Sequence, residues 1–183
     1  MIKTFTQFLT SIFEKKGETH EFGCAMVYFN FPEIAEFHSQ IDQADVYTEE
    51  GDRSFGLEDE PHTTLLYGLH SYKIPDQEVL DICMAQPIGS MTLVNASLFE
   101  NEKYDVLKFD VENPILFKVN AELAKLPHTT NFPDYHPHAT IGYLKPGTGK
   151  KYVELFKDKQ YEVVPEKIVY SKPGGERLEE PWN

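Results

Sequence analysis

Hydrophobic positions along the chain follow two periods. Phe5, Phe8, Leu9, Ile12 and Phe13 recur at helical spacing, predicting an amphipathic helix whose apolar stripe packs on the body. Residues 22–31 switch to a period of two. One face carries Gly23, Ala25, Val27, Phe29 and Phe31 and suits a core; the other carries Phe22, Cys24, Met26, Tyr28 and Asn30, which puts Tyr28 and Asn30 where they can line a cleft. Pro32 starts a short helix, where its missing N–H costs nothing, with Ile34, Phe37 and Ile41 inward. Helical spacing predicts further helices over 75–85 and 114–126 and a short one through Val153 and Phe156. Alternation predicts strands over 90–99, 104–111 and 161–170, with a turn at Asn101-Glu102. Residues 42–60 hold eight carboxylates against Arg53 alone and read as a solvated acidic loop, since their spacing does not fit a calcium-binding EF-hand. The tail over 172–183 has Gly174-Gly175, two prolines and Trp182.

One alternating pattern occurs twice. Pro61-His62-Thr63-Thr64-Leu65-Leu66-Tyr67 returns 76 positions later as Pro137-His138-Ala139-Thr140-Ile141-Gly142-Tyr143. As strands, the copies put His62 with Thr64, and His138 with Thr140, on one face; Leu65, Tyr67, Ile141 and Tyr143 fall on the other, where the tyrosines read as core. Gly142 faces the histidine side, where it either frees space beside a ligand or serves packing. Similar strand–helix–strand elements surround each copy. They predict an α+β fold: a single domain over 1–183 with two pseudo-symmetric lobes, antiparallel sheets flanked by helices around a central cleft. The hairpin-like middle does not fit the strict alternation of a doubly wound sheet.

Composition narrows the function. The chain has 183 residues, 40% hydrophobic and 13% aromatic, which describes a folded protein. Its net charge of −13 argues against gripping long nucleic acid, which takes a basic track, and leaves room for a small anionic substrate. Cys24 and Cys83 sit in apolar contexts without metal-ligand spacing, as buried thiols in a reducing compartment would. No apolar run reaches membrane-spanning length, and the N-terminal stretch lacks a signal-like core, so the expected location is the cytoplasm, with no membrane partner. The oligomeric state is left open.

Two imidazoles and two hydroxyls around one ligand suit phosphodiester cleavage. Breaking a 3′–5′ bond of the RNA type requires the 2′-hydroxyl to lose a proton and the 5′-oxygen to gain one, and histidine performs both at neutral pH. Each threonine can donate to a non-bridging oxygen. No metal or cofactor is needed. His136-x-His138 near Asp134 has the look of a metal pair, yet the first copy carries Glu60 where the second has His136, so the metal pattern does not repeat while His-x-Thr does. His20, His38, His70 and His128 read as structural.

The paired segments His62-Thr63-Thr64-Leu65 and His138-Ala139-Thr140-Ile141 resemble the signature of the 2H phosphoesterase superfamily, named for two His-x-Thr/Ser-hydrophobic motifs. The resemblance implies a bilobal α+β fold and metal-free action on cyclic phosphates or on 2′–5′ and 3′–5′ bonds. It makes His62 and His138 the acid and base, and Thr64 and Thr140 the phosphate ligands. Gly56-Leu57-Glu58-Asp59-Glu60-Pro61-His62, Leu98-Phe99-Glu100-Asn101-Glu102 and Phe132-Pro133-Asp134-Tyr135-His136-Pro137-His138 are similar to phage 2′–5′ RNA ligase-like proteins, and among them to the anti-CBASS phosphodiesterases that destroy cyclic oligonucleotide signals of bacterial antiphage defence. Tyr28 is the residue read as stacking a base. The resemblance also implies a C-terminal segment closing over ligand, with Glu176 accepting from a base amino group and Trp182 capping a base. The expectation is hydrolysis of cyclic di- or trinucleotides through a 2′,3′-cyclic phosphate, in the host bacterial cytoplasm if phage-encoded. The alternatives are an RNA-end 2′,3′-cyclic or 2′–5′ phosphodiesterase, and a non-catalytic cyclic-nucleotide sponge.

Overall fold

The computed structural model describes residues 21–131 and 134–182. The predicted N-terminal helix lies outside these residues. Eight strands and four helices follow in the order β1 (Gly23–Phe29), α1 (Ile34–Gln40), β2 (His62–Leu69), α2 (Asp76–Met84), β3 (Met91–Glu100), β4 (Asp105–Glu112), α3 (Pro114–Leu123), β5 (His138–Leu144), α4 (Lys150–Phe156), β6 (Tyr161–Val163), β7 (Pro165–Ser171) and β8 (Arg177–Pro181). They form two antiparallel four-stranded sheets, ordered β2-β1-β7-β8 and β5-β4-β3-β6. The run β1-α1-β2-α2 therefore repeats as β4-α3-β5-α4, and each His-x-Thr strand is the edge of its sheet. The predicted α+β architecture with two related halves is the one observed.

Each sheet has two distinct faces. On one, Ala25, Val27 and Leu65 of the first sheet and Leu93, Phe109 and Ile141 of the second join Phe37, Val79, Leu116 and Phe156 of the helices in a core that runs through both halves. Phe37 anchors it, meeting Phe109, Phe156 and Tyr161 edge-on at centroid distances of 5.4, 4.6 and 5.6 Å. The other faces carry smaller clusters, Cys24-Met26-Tyr28-Val169 in the first sheet and Phe55-Tyr104-Val106-Tyr143 in the second.

One predicted element is corrected, and the tail adds a further strand. The single strand over 161–170 is two strands in different sheets: β6 pairs with β3, and β7 with β1. The break falls at Val164, which is exposed, and at buried Pro165, whose ring fixes φ and removes a ladder donor. The tail is also regular, because Gly174 and Gly175 take φ of 95° and 88° and turn β8 back on β7.

The acidic stretch is not simply a solvated loop. It runs along β5, with Tyr47 N donating to Tyr143 O, Glu58 N to Ile141 O and Tyr143 N to Gly56 O. Ser54, Phe55 and Glu58 are buried by it. The second half returns the arrangement: His70 N donates to Pro127 O, and Thr129 N to Gly68 O, along the end of β2. Gly68 is required there, since its φ is +110° and a Cβ would lie 2.0 Å from Thr129 O. Each half thus sends a strap over the open edge of the other.

Candidate active site

Both histidines open an edge strand, and both are held by the same backbone device. His62 Nδ1 donates to Glu60 O at 2.7 Å and His138 Nδ1 to His136 O at 2.9 Å. A carbonyl only accepts, so Nδ1 carries the proton in either charge state, and Nε2 is the nitrogen that gains or loses one. The intervening proline keeps the residue before it extended, which sets the carbonyl that the ring meets. Proline's own carbonyl then accepts from the neighbouring strand, Pro61 O from Phe29 N and Pro137 O from Val111 N.

The alternation breaks at the same place in both copies. Met26 pairs with Thr64 but Ala25 with Leu66; Lys108 pairs with Thr140 but Leu107 with Gly142. Leu65 and Ile141 are therefore bulge residues, and the side chains beyond them change face. Tyr67 and Tyr143 consequently lie on the histidine side, Tyr67 against the Cys24-Met26-Tyr28 cluster and Tyr143 within the Phe55-Tyr104-Val106 cluster. This corrects the expectation that they face away. Gly142 meets Leu57, whose Cδ2 would be 2.8 Å from an added Cβ, so it serves packing against the strap.

The bulge carbonyls are bonded across the halves. Asn120 Nδ2 on α3 donates to Leu65 O at 2.6 Å, and His38 Nε2 on α1 lies 3.0 Å from Ile141 O. Tyr135, three residues before His138, donates its hydroxyl to Thr64 O at 2.8 Å. Burial pushes its pKa upward, keeping that proton in place. With β2 and β5 in contact, these bonds tie the approach of the second motif to the backbone of the first.

Around the shared frame the side chains differ. His62 is 4% exposed and stacks on its cross-strand partner Tyr28, with centroids 4.9 Å apart and planes 20° apart. Lys167 Nζ and Arg177 Cζ lie over the same tyrosine at 5.6 and 5.1 Å. Arg177 donates to Glu60 Oε2 at 3.2 Å, and Glu60 N to Glu58 Oε1 at 3.0 Å. His138 is more open and meets Phe99 edge-on at 5.0 Å. Its cross-strand partner Asp110 binds buried Lys108 at 2.6 Å, and Lys108 also donates to Ser97 Oγ at 2.8 Å. Thr64 is half-buried and Thr140 buried, each on its histidine's face.

Tyr28 is thus placed beside His62, though its 4% exposed ring faces the imidazole and two cations rather than open space. Glu176 and Trp182 are not brought to it. Glu176 lies in the β7–β8 turn, paired with Lys172 at 3.4 Å, and Trp182 packs against the main core. Along β8 the odd positions Arg177 and Glu179 take the Tyr28 side, while Leu178 joins the core. Arg177 and Lys108 are the site residues that sequence reasoning missed. The available signal for Lys108 was a lone cation between Leu107 and Phe109 on a strand, on the opposite parity from both. Among the described residues, no three His, Cys, Asp or Glu side chains group as metal ligands. Of the other histidines, His70 lies 2.8 Å from Thr129 Oγ1 and His128 Nδ1 2.8 Å from Leu126 O, while His20 is outside the described residues.

No protein-family model matches the chain, and no curated protein sequence does. Solved structures do. Usb1 of Kluyveromyces marxianus, solved with uridine monophosphate, superposes with a TM-score of 0.55 at 9% identity over 95% of this chain and 100% of its own. LigT of E. coli, solved with 3′-AMP, gives 0.47 at 14% identity over 89% and 97%. The chain shares the two-sheet fold of Usb1, and at this identity the likeness speaks for the fold alone.

Proposed function

We propose that the protein is a phosphodiesterase of the two-histidine type, acting without a metal on the 3′–5′ bonds of small cyclic di- or trinucleotides. The observation that carries this is the duplicated tether: two edge strands, each holding a histidine by Nδ1 on the carbonyl two residues back, with a threonine on the same face. One neutral Nε2 takes the 2′-hydroxyl proton as that oxygen bonds to phosphorus. The other, protonated, gives its proton to the departing 5′-oxygen. The first product is a 2′,3′-cyclic phosphate. Water, with the two histidines in exchanged roles, opens it to a 3′-phosphate. Thr64, Thr140 and the nearby Lys108 supply donors and charge for the oxygens on phosphorus.

The fold shared with Usb1, a structure containing a nucleotide, favours a nucleotide phosphodiester, and the net charge of −13 favours a small one. The resemblance of the segments around His62, Phe99 and His138 to anti-CBASS phosphodiesterases supports the signals of antiphage defence as the substrate class. Buried thiols at Cys24 and Cys83, neither in a disulfide, fit a bacterial cytoplasm. No helix among the described residues is long and apolar enough to cross a membrane.

A panel of cyclic di- and trinucleotides, 2′–5′-linked oligoadenylate and RNA ending in a 2′,3′-cyclic phosphate, read by mass spectrometry in EDTA, tests the assignment. Linear 3′-phosphorylated products from the cyclic compounds are expected. Intact rings throughout, or cleavage of the 2′–5′ compound alone, would overturn it.

A further inference from the structure

Arg177 is a buried cation in a strongly acidic protein, and most of its donors are unused. Its side chain is 5% exposed, and one N–H reaches Glu60 Oε2. Nε and Nη2 are buried without a hydrogen-bond partner. A guanidinium offers five N–H bonds; three are on these two nitrogens, and one from each forms a fork with an oxyanion. Leaving them unmade under cover is costly, so these groups call for a partner from outside the chain, be it water, an ion or a ligand.

A carboxylate already stands beside them. Glu179 places Oε2 2.9 Å from Lys167 Nζ and Oε1 3.8 Å from Arg177 Nη2, so it is bonded to the lysine and out of hydrogen-bond range of the arginine. Lys167 and Arg177 both lie over Tyr28, which stacks on His62. The residue that Arg177 binds, Glu60, is the one whose carbonyl holds His62. Two cations and an exposed, displaceable carboxylate thus adjoin one histidine.

We infer that Arg177 and Lys167 form a second anion site, which takes the phosphate next to the one being cleaved and from which Glu179 swings away. This rests on the phosphodiesterase function proposed above and deepens it. A site with a second phosphate subsite selects substrates carrying at least two phosphates, as a cyclic dinucleotide does, over a single-phosphate end.

Binding separates the two ideas, measured by calorimetry in a His138→Ala background so that turnover plays no part. The probes are a cyclic dinucleotide, with two phosphates, and a linear dinucleoside monophosphate, with one. Arg177→Gln is expected to weaken the first about 10- to 100-fold, in the range of a lost charge-assisted pair, and the second at least several-fold less. Arg177→Lys recovers part of the loss. Equal weakening of both probes would mean that Arg177 acts only through Glu60 on His62, and no weakening would mean that it binds neither; each overturns the inference. Should Arg177→Gln fail to fold, Glu179→Gln decides: tighter cyclic dinucleotide binding supports the site, and unchanged or weaker binding overturns it. The function itself fails separately, in the cleavage panel on the unaltered protein.

Discussion

The two halves repeat their backbone and not their side chains. Proline before histidine, the Nδ1 tether, the bulge after threonine and the bond from the other half to the bulge carbonyl occur in both. Around them, His62 is stacked face-on by Tyr28 with Arg177 and Lys167 nearby, whereas His138 is edge-on to Phe99 beside the Lys108–Asp110 pair. Under the proposed function, the shared frame is what proton transfer requires, and the divergent side chains are what would distinguish one end of a substrate from the other.

Removing each histidine tests the shared part and carries the largest effect. His62→Ala and His138→Ala are each expected to lower kcat about 100- to 10,000-fold, measured on a cyclic dinucleotide. A substrate with sulfur in place of the 5′-oxygen breaks the symmetry, because a thiolate departs without a proton. The variant lacking the acid regains rate on it; the variant lacking the base does not. Equal behaviour of both variants would contradict a division of labour.

Lys108→Met probes the second half alone. A buried cation directly across the strand pair from Thr140 is lost, and kcat/KM is expected to fall about tenfold, with partial return in Lys108→Arg. The braces between halves come next. Asn120→Ala removes the side-chain donor to Leu65 O and should cost about 1–3 kcal/mol in urea unfolding. His38→Ala should cost less, about 0.5–1.5 kcal/mol, because Ile141 O still accepts from Glu58 N, and a larger loss for His38→Ala would contradict that ordering.

The last test is alkaline and bears on stability alone. Burial raises the Tyr67 phenol from 10.0 to about 12 and the Cys83 thiol from 9.0 to about 12. Folding favours their neutral forms, so this stability is complete below pH 9 and is lost as pH rises toward 12. Urea midpoints at pH 8, 10 and 11.5 should be level at first and then decline. Tyr67→Phe should soften that decline.

Period and composition carried most of the fold, because strands that bury one face must alternate. The two-sheet arrangement and the faces of β1 follow from that. Bulges at Leu65 and Ile141 leave no such trace: either residue is as apolar in a regular strand as in a bulge, so the faces of Tyr67 and Tyr143 came out inverted. The division of 161–170 had a visible cause in Pro165 that competed with an unbroken apolar alternation. Charged composition disguised the strap over β5, whose hydrogen bonds are made by backbone. Glu176 and Trp182 drew attention by residue type, while the parity of β8 that directs Arg177 inward depends on where the Gly174-Gly175 turn starts the strand.

The exchanged straps mean that neither half is a self-sufficient unit. Cut between β3 and β4, the chain would yield two fragments that lose each other's straps and also the β1–β7 and β3–β4 pairings, since both sheets draw strands from each side of the cut. They should recover a folded state only when mixed, as complementing pieces. For the intact protein, parting the sheets would break both straps together, so ligand entry should follow movements of the rim rather than separation of the lobes.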